Sequence, residues 1–246
     1  MNNRVGGIMG EINILRLIEG AKQAKGLTVI IDVFRAFSLE CFLYDKGVKQ
    51  IRPVGSIEEA VALHKTIGNS VLIGERHGKK VDGFDFGNSP SSVTKEAIEG
   101  KTVIHTTSAG TQGIVNAVNA DEIITGSLVN AKAIAEYIKM KNPTHVSLVC
   151  MGNEGVRIAK EDELCAEYIR SLVLEEVLPD FEKRLTDLQF DGGDHFFNPK
   201  TQEVFPESDF WLCVQHDLFP FIIQVKKDEL GFVTEKKEIE FEGGKK

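Results

Sequence analysis

Leu27-Thr28-Val29-Ile30-Ile31-Asp32-Val33 is apolar and β-branched, begins after Gly26, and leads through Phe34-Arg35 into a helical pattern from Ala36 to Lys46. That reads as a central strand followed by a helix, which stops at Gly47. The same alternation extends downstream. Gln50 to Val54 is a strand, and Ser56 caps the next helix, with Glu59 three residues later as a capping box. Ser70 to Gly74 is a strand and Ser91 to Glu99 a helix; Thr102 to Thr106 is a strand and Thr111 to Asn119 a helix. Glu122 to Thr125, Ala131 to Lys141, His145 to Met151 and Glu161 to Leu178 continue as strand, helix, strand and long helix. Upstream, Asn13 to Lys25 reads as a helix with Ile14, Leu17, Ile18 and Ala21 on one face. Alternation of this kind predicts an α/β fold: three α/β/α layers around a mainly parallel or mixed sheet.

Pro179 to Pro206 changes character, with loop signals at Asp191-Gly192-Gly193-Asp194 and Asn198-Pro199. Phe210 to Val214, Phe221 to Val225 and Gly231 to Lys236 then read as strands, the last two joined by a turn at Lys227-Asp228-Glu229-Leu230. The expectation is one domain over 1–246, with a core at about 27–178 and an antiparallel extension at about 207–238. Glu242 to Lys246 reads as a frayed tail.

The 246 residues carry a formal charge of −8, which argues against a nucleic-acid partner. No run approaches the roughly 18 apolar residues of a membrane helix. Met1 to Glu11 is charged and lacks the apolar core of a signal peptide, so a cytoplasmic protein is expected. Cys41, Cys150, Cys165 and Cys213 are far apart, without a C-x-x-C pair, so neither a zinc ribbon nor a disulfide framework is expected.

Ligands of open α/β sheets collect beyond the carboxyl ends of the strands, and here those ends are polar, small or charged. They carry Asp32 and Arg35; Glu75 and Arg76; Thr106, Thr107 and Ser108 before Gly110-Thr111; Gly126-Ser127 and Asn130; and Gly152, Asn153, Gly155, then Glu161-Asp162 opening a helix. The loop Gly74 to Pro90 adds Asp82, Asp85, Asn88 and three further glycines, a mixture suited to an anion bridged by a hard cation. Thr106 to Thr111 reads as an anion cradle. Blander readings stand beside these: an Asp32–Arg35 salt bridge, and Glu161 and Asp162 merely complementing a helix dipole. There is no G-x-x-x-x-G-K-[ST] and no G-x-G-x-x-G. Phe34 occupies the place of the second Asp of aspartyl-nucleophile phosphatases. Arg157 lies one residue too far from Cys150 for a cysteine phosphatase. Neither His77 nor His105 has a spaced partner for zinc.

Together the motifs resemble the 2-phosphosulfolactate phosphatase family. The matching pieces are Ile31-Asp32-Val33-Phe34-Arg35-Ala36, Gly74-Glu75-Arg76, Gly83 to Pro90, Thr106-Thr107 with Gly110-Thr111, Gly126-Ser127 with Asn130-Ala131, and Glu161-Asp162 with Cys165-Ala166. They run in the family's order over roughly residues 27 to 172, and Cys213 to Phe219 is a faint echo. The chain departs from the family pattern at Phe34, where Leu is usual, at Phe37 and Ser38, where threonines are usual, and at Ala109, where an Asn is usual.

The resemblance implies Mg²⁺-dependent hydrolysis of 2-phosphosulfolactate to sulfolactate and phosphate, of the kind used in coenzyme M biosynthesis. It implies catalytic roles for Asp32, Arg35 and Arg76. Substrate contacts would come from Arg35, Arg76, Asn88, Thr106, Thr107, Ser108, Gly110, Thr111 and Asn130. Mg²⁺ would be held by Asp32 with some of Glu75, Asp85, Glu161 and Asp162. The expected partner is therefore a small anionic substrate. Two other readings stay open: a phosphatase for another phosphorylated hydroxy acid, and a sulfonate- or phosphate-binding homologue without turnover. A homodimer through the C-terminal strands also stays open.

Overall fold

The computed structural model describes residues 10–240; the first nine residues and the tail from Glu242 lie outside that range. Ten strands form one sheet. They are β1 (Glu11–Arg16), β2 (Gly26–Ile31), β3 (Gln50–Pro53), β4 (Ser70–Arg76), β5 (Lys79–Lys80), β6 (Thr102–Thr106), β7 (Ala120–Gly126), β8 (His145–Cys150), β9 (Phe221–Asp228) and β10 (Gly231–Glu238). The helices are α1 (Leu17–Gln23), α2 (Ala36–Asp45), α3 (Ile57–Thr66), α4 (Lys95–Ile98), α5 (Gly110–Asn116), α6 (Ala131–Lys141), α7 (Lys160–Leu174), α8 (Phe181–Asp187) and α9 (Glu207–Cys213).

The strand order is β1-β8-β2-β7-β9-β10-β3-β6-β4-β5. β1, β8, β2 and β7 run parallel as one wing, and β3, β6 and β4 run parallel as a second. The hairpin β9–β10 sits between them, antiparallel to β7 on one side and to β3 on the other. The expected extension is therefore the centre of the sheet, and its strands have neighbours within the chain on both sides. Followed through these pairings, the two wings run in opposite senses across the hairpin. Carboxyl ends from both wings nevertheless line one cleft.

Each wing is covered on both faces, because the side chains of a strand alternate. In β2, Val29 and Ile31 pack with α6 and α7, whereas Ile30 packs with α1 and α5. In β6, Val103 meets α2 and Ile104 meets α3. α2 is apolar nearly all round and is buried from Ala36 to Tyr44, as such a helix must be. Ser56 accepts a hydrogen bond from Glu59 N, whereas the Glu59 carboxylate reaches back to Gly55 N rather than to Ser56 N.

Two elements differ in type from the reading of the sequence. Glu11–Arg16 is an edge strand, because pairing with β8 outweighs helical periodicity; Ile12 and Ile14 pack on one face of the sheet and Leu15 on the other. Glu207–Cys213 is a helix, with Asp209, Phe210, Cys213 and Val214 inward and Trp211 outward. The helix expected over Ser91 to Glu99 shrinks to Lys95–Ile98, and the segment after Pro179 contains α8 and a 3₁₀ turn at Asp194–Phe197. Gly26 has φ +67°, and a Cβ there would lie 2.2 Å from His145 O, so the start of β2 requires glycine.

Candidate active site

The carboxyl ends of β2 and β8 from one wing meet β4 and the turn after β6 from the other around a cleft of about 550 Å³. A shallower hollow of about 560 Å³ between α7 and α8, around Tyr168 and Phe181, lies away from these ends. Seven carboxylates line the cleft against three Arg and Lys side chains, so as it stands it would repel an anion.

The innermost acids are Asp32, Glu161 and Asp162, all buried and none hydrogen-bonded to a cationic side chain among the described residues. Asp32 follows β2 and accepts a hydrogen bond from Ala36 N at 3.1 Å, which also caps α2. Glu161 and Asp162 occupy the first turn of α7. Asp162 ties two strand ends together, accepting from Val33 N at 2.9 Å and from Gly152 N at 2.7 Å. Burial raises the Asp32 carboxyl to about 6, and the Glu75 charge adds to the rise. Burial raises Glu161 to about 8, with a contribution from Asp32. Asp162 is pushed well up by burial, then by Glu161 and Asp32. Such a cluster requires protons or a cation. Its donors are all oxygens, as Mg²⁺ prefers, and an oxygen that accepts one N–H keeps a lone pair. Among the described residues no group of three acidic, His or Cys side chains is placed to hold a metal ion. Mg²⁺ typically takes one or two carboxylates and keeps several waters, so the donor set fits. Gly110 belongs to this arrangement: a Cβ there would lie 2.8 Å from Asp32 Oδ2.

Arg35 does not pair with Asp32. Its Nη1 donates to Asp209 Oδ2 and to Val204 O, both at 2.8 Å, and its Nη2 donates to Gly78 O at 3.2 Å. The guanidinium also packs 4.9 Å from the Phe205 ring centroid. It lines the cleft, but its charge is largely taken by Asp209. Arg76 lies outside the lining, donating to Glu75 O and to Thr106 Oγ1. Glu75 lines the cleft as a brace, accepting from Ser108 N at 2.6 Å and from Gly78 N at 2.7 Å.

Several expected ligands are turned inward. The Thr107 and Thr111 hydroxyls each accept from the other's backbone N–H, and Thr106 receives Arg76, so the cradle presents Ser108 and Ala109 to the cleft rather than its threonines. Asn130 accepts from Ser127 N, and Asp85 accepts from Leu72 N at 2.8 Å; neither lines the cleft. Asn88 does. Cys150 is buried with its thiol pushed well up by burial, then by Asp162, which leaves it protonated and unreactive.

The cleft also holds residues that the sequence did not single out for this site. Arg157 and Lys160 stand at the mouth; Lys160 pairs with Asp191, while Arg157 has no side-chain partner among the described residues. Both belong to the stretch between β8 and α7, and the strand-end logic that found Glu161 applies equally to them. His77 pairs with Glu154 at 2.7 Å across the opening. His195 packs 4.6 Å from Phe205 and is lowered by burial; it comes from the irregular segment after α7, where no pattern marked it.

Fold and cleft define a two-winged α/β protein whose buried oxygen donors lie beneath a rim of mixed charge that includes Arg157 and Lys160. A sequence model of the 2-phosphosulpholactate phosphatase family matches residues 12–228, and the chain belongs to that family. A relative from Caldicellulosiruptor saccharolyticus, named "probable 2-phosphosulfolactate phosphatase", is 46% identical over 153 residues, 60% of this chain and 62% of its own length. Relatives with the same name from Caldanaerobacter subterraneus and Clostridium acetobutylicum are 38% and 37% identical, covering 63% and 65% of this chain and 63% and 68% of their own lengths. The matched region thus spans somewhat under two thirds of the first two relatives.

Proposed function

We propose that the chain is a phosphoric monoester hydrolase that converts 2-phosphosulfolactate to sulfolactate and phosphate, with Mg²⁺ as cofactor, in a reaction of the coenzyme M biosynthesis type. One observation carries this reading: three buried carboxylates lie beneath a rim bearing the Arg157 guanidinium, and among the described residues neither the acids nor that guanidinium has an oppositely charged side-chain partner. A polyanionic substrate can enter only if a cation offsets the acids. Asp32 and Glu161 would hold the ion, with Asp162 behind them. When bound, Mg²⁺ supplies positive charge to the phosphoryl oxygens and ordered water in the cleft.

The chain's own groups do the rest. Arg157 and Lys160 bind peripheral anionic groups and steer the substrate inward. Glu75 fixes Ser108 N, and the missing side chain at Gly110 lets the turn lie close against Asp32, so the reacting centre sits against braced backbone. Water adds to phosphorus, the P–O bond to the hydroxy acid breaks, one of the water's protons ends on the departing oxygen, and the other stays with the released phosphate. Phosphate released from 2-phosphosulfolactate, measured with and without Mg²⁺, tests this reading. No release from any small phosphorylated acid with Mg²⁺ present would refute it.

A second reading, a different phosphorylated hydroxy acid, is favoured by Ala109, which lines the cleft with a methyl group where the family pattern has an amide. A substrate panel ranked by kcat/KM separates the two.

A further inference from the structure

Glu40 and His105 are both fully buried, and the chemistry above uses neither. His105, near the end of β6, has Nδ1 2.9 Å from Glu40 Oε1 and Nε2 3.1 Å from Asn88 Oδ1. Glu40 lies in the middle of α2, and its Oε2 has no hydrogen-bond partner among the described residues. Asn88 lines the cleft. Its Nδ2 has no protein partner among the described residues and is not among the buried unpartnered atoms, so that end of the amide opens to the cleft.

The two contacts of His105 fix where its protons lie. An amide oxygen facing Nε2 requires an N–H there. A carboxylate and imidazole sharing a single proton would leave a net negative charge sealed in the core, within electrostatic reach of Asp32, and an uncompensated buried charge is costly. With two protons the pair is neutral, whether as carboxylate with imidazolium or as carboxylic acid with imidazole. Both forms place a proton on Nε2. That N–H holds Asn88 by its oxygen and leaves two amide N–H donors facing the cleft. A bare Nε2 would turn the amide over and present its oxygen to an incoming anion.

We propose that Glu40 and His105 are positioning residues that lock Asn88 with its Nδ2 donors presented to the cleft as a fixed oxyanion-binding group. This rests on the reading of the cleft as a site for a phosphorylated acid.

The test is ¹⁵N NMR of the labelled full chain with Mg²⁺, titrated with inorganic phosphate. His105 should show a protonated Nε2, and the Asn88 side-chain NH₂ signals, assigned by their loss in Asn88→Ala, should shift as phosphate binds. Asn88→Asp should weaken phosphate about tenfold or more, since an acceptor replaces the donors. His105→Gln should weaken phosphate about tenfold when Asn88 is present and by less than about twofold in the Asn88→Ala background, as expected if it acts through the amide. A bare Nε2, unresponsive Asn88 signals, or an equal His105→Gln effect in both backgrounds would overturn the proposal. If His105→Gln fails to fold, the wild-type spectra still decide. Absence of ester hydrolysis by the wild type would instead remove the phosphatase reading, leaving these spectra to judge the amide alone.

Discussion

Asp32, Glu161 and Asp162 set the chemistry of the cleft because the backbone of two segments, the end of β2 and the start of α7, fixes their positions. Asp32 caps α2, while Glu161 and Asp162 open α7. Their mutual repulsion is a cost that a bound cation would relieve. Asp32→Asn should therefore lower phosphate release by about 100-fold or more, while the cation-free protein at pH 8 melts at the same or a higher temperature. A large loss of thermal stability would instead mark Asp32 as structural. The pH dependence follows with a definite sign. Asp32 at about 6 and Glu161 at about 8 bind protons in the folded chain more tightly than unfolded carboxyls do. The folded state therefore holds extra protons above the ordinary range near 4, and stability falls as pH rises from there through about 8. Melting temperatures of the Mg²⁺-free protein should decline across that window, and saturating Mg²⁺ should flatten the decline. The place of these acids in the cleft could be read from the sequence because ligands of open α/β sheets collect beyond the carboxyl ends of the strands, where Asp32 follows β2 and Glu161 and Asp162 open the helix after β8. Asp85 looked equivalent, and only the backbone path shows that it serves Leu72 N.

The clearest case at the level of elements is α9, which anchors the floor of the cleft through one side chain. Asp209 is fully buried, pairs with Arg35 at 2.8 Å, and accepts from Ser89 Oγ and Ser91 N, both at 3.0 Å. It thereby joins α9, the loop before α4 and the start of α2. Asp209→Ala would leave the Arg35 guanidinium buried without a counter-charge, at a cost of about 3–5 kcal/mol. Urea unfolding should show this as a shift of the midpoint, whereas a loss below about 1 kcal/mol would mean that water reaches Arg35. The sequence did contain signs of this helix. Pro206 precedes acidic residues in a first turn, and Asp209, Phe210, Cys213 and Val214 share the inward stripe of a helix. The aromatic and β-branched run Phe210 to Val214 suggested a strand because its composition favours one, and composition outweighed period. β1 was hidden for the opposite reason: its helical spacing is genuine, but an edge position beside β8 decided its type.

Alternation along the chain identified the α/β class, because strands and helices that alternate in sequence must build a largely parallel sheet. It gave no sign that the last hairpin lies in the middle, since β9 meets β7 about a hundred residues away and β10 meets β3 still farther off. The best available sign was Phe221-Ile222-Ile223, all buried in succession, which marks a strand covered on both faces rather than an edge. Ile222 packs into the core of the first wing, and Phe221 and Ile223 pack into that of the second. The hairpin is thus the link through which the two halves of the cleft face each other. A peripheral extension could be removed and leave a folded core. Removing this one exposes the ladders of β7 and β3 and both cores at once, and the two wings that carry Asp32 and Glu75 lose the strands that join them. A chain ending at Pro220 should therefore be collapsed or aggregated, without a cooperative thermal transition and without the phosphate binding of the full chain. A monomeric fragment that melts cooperatively would show that the wings fold without the hairpin and that the cleft is held by the loops and α9 alone.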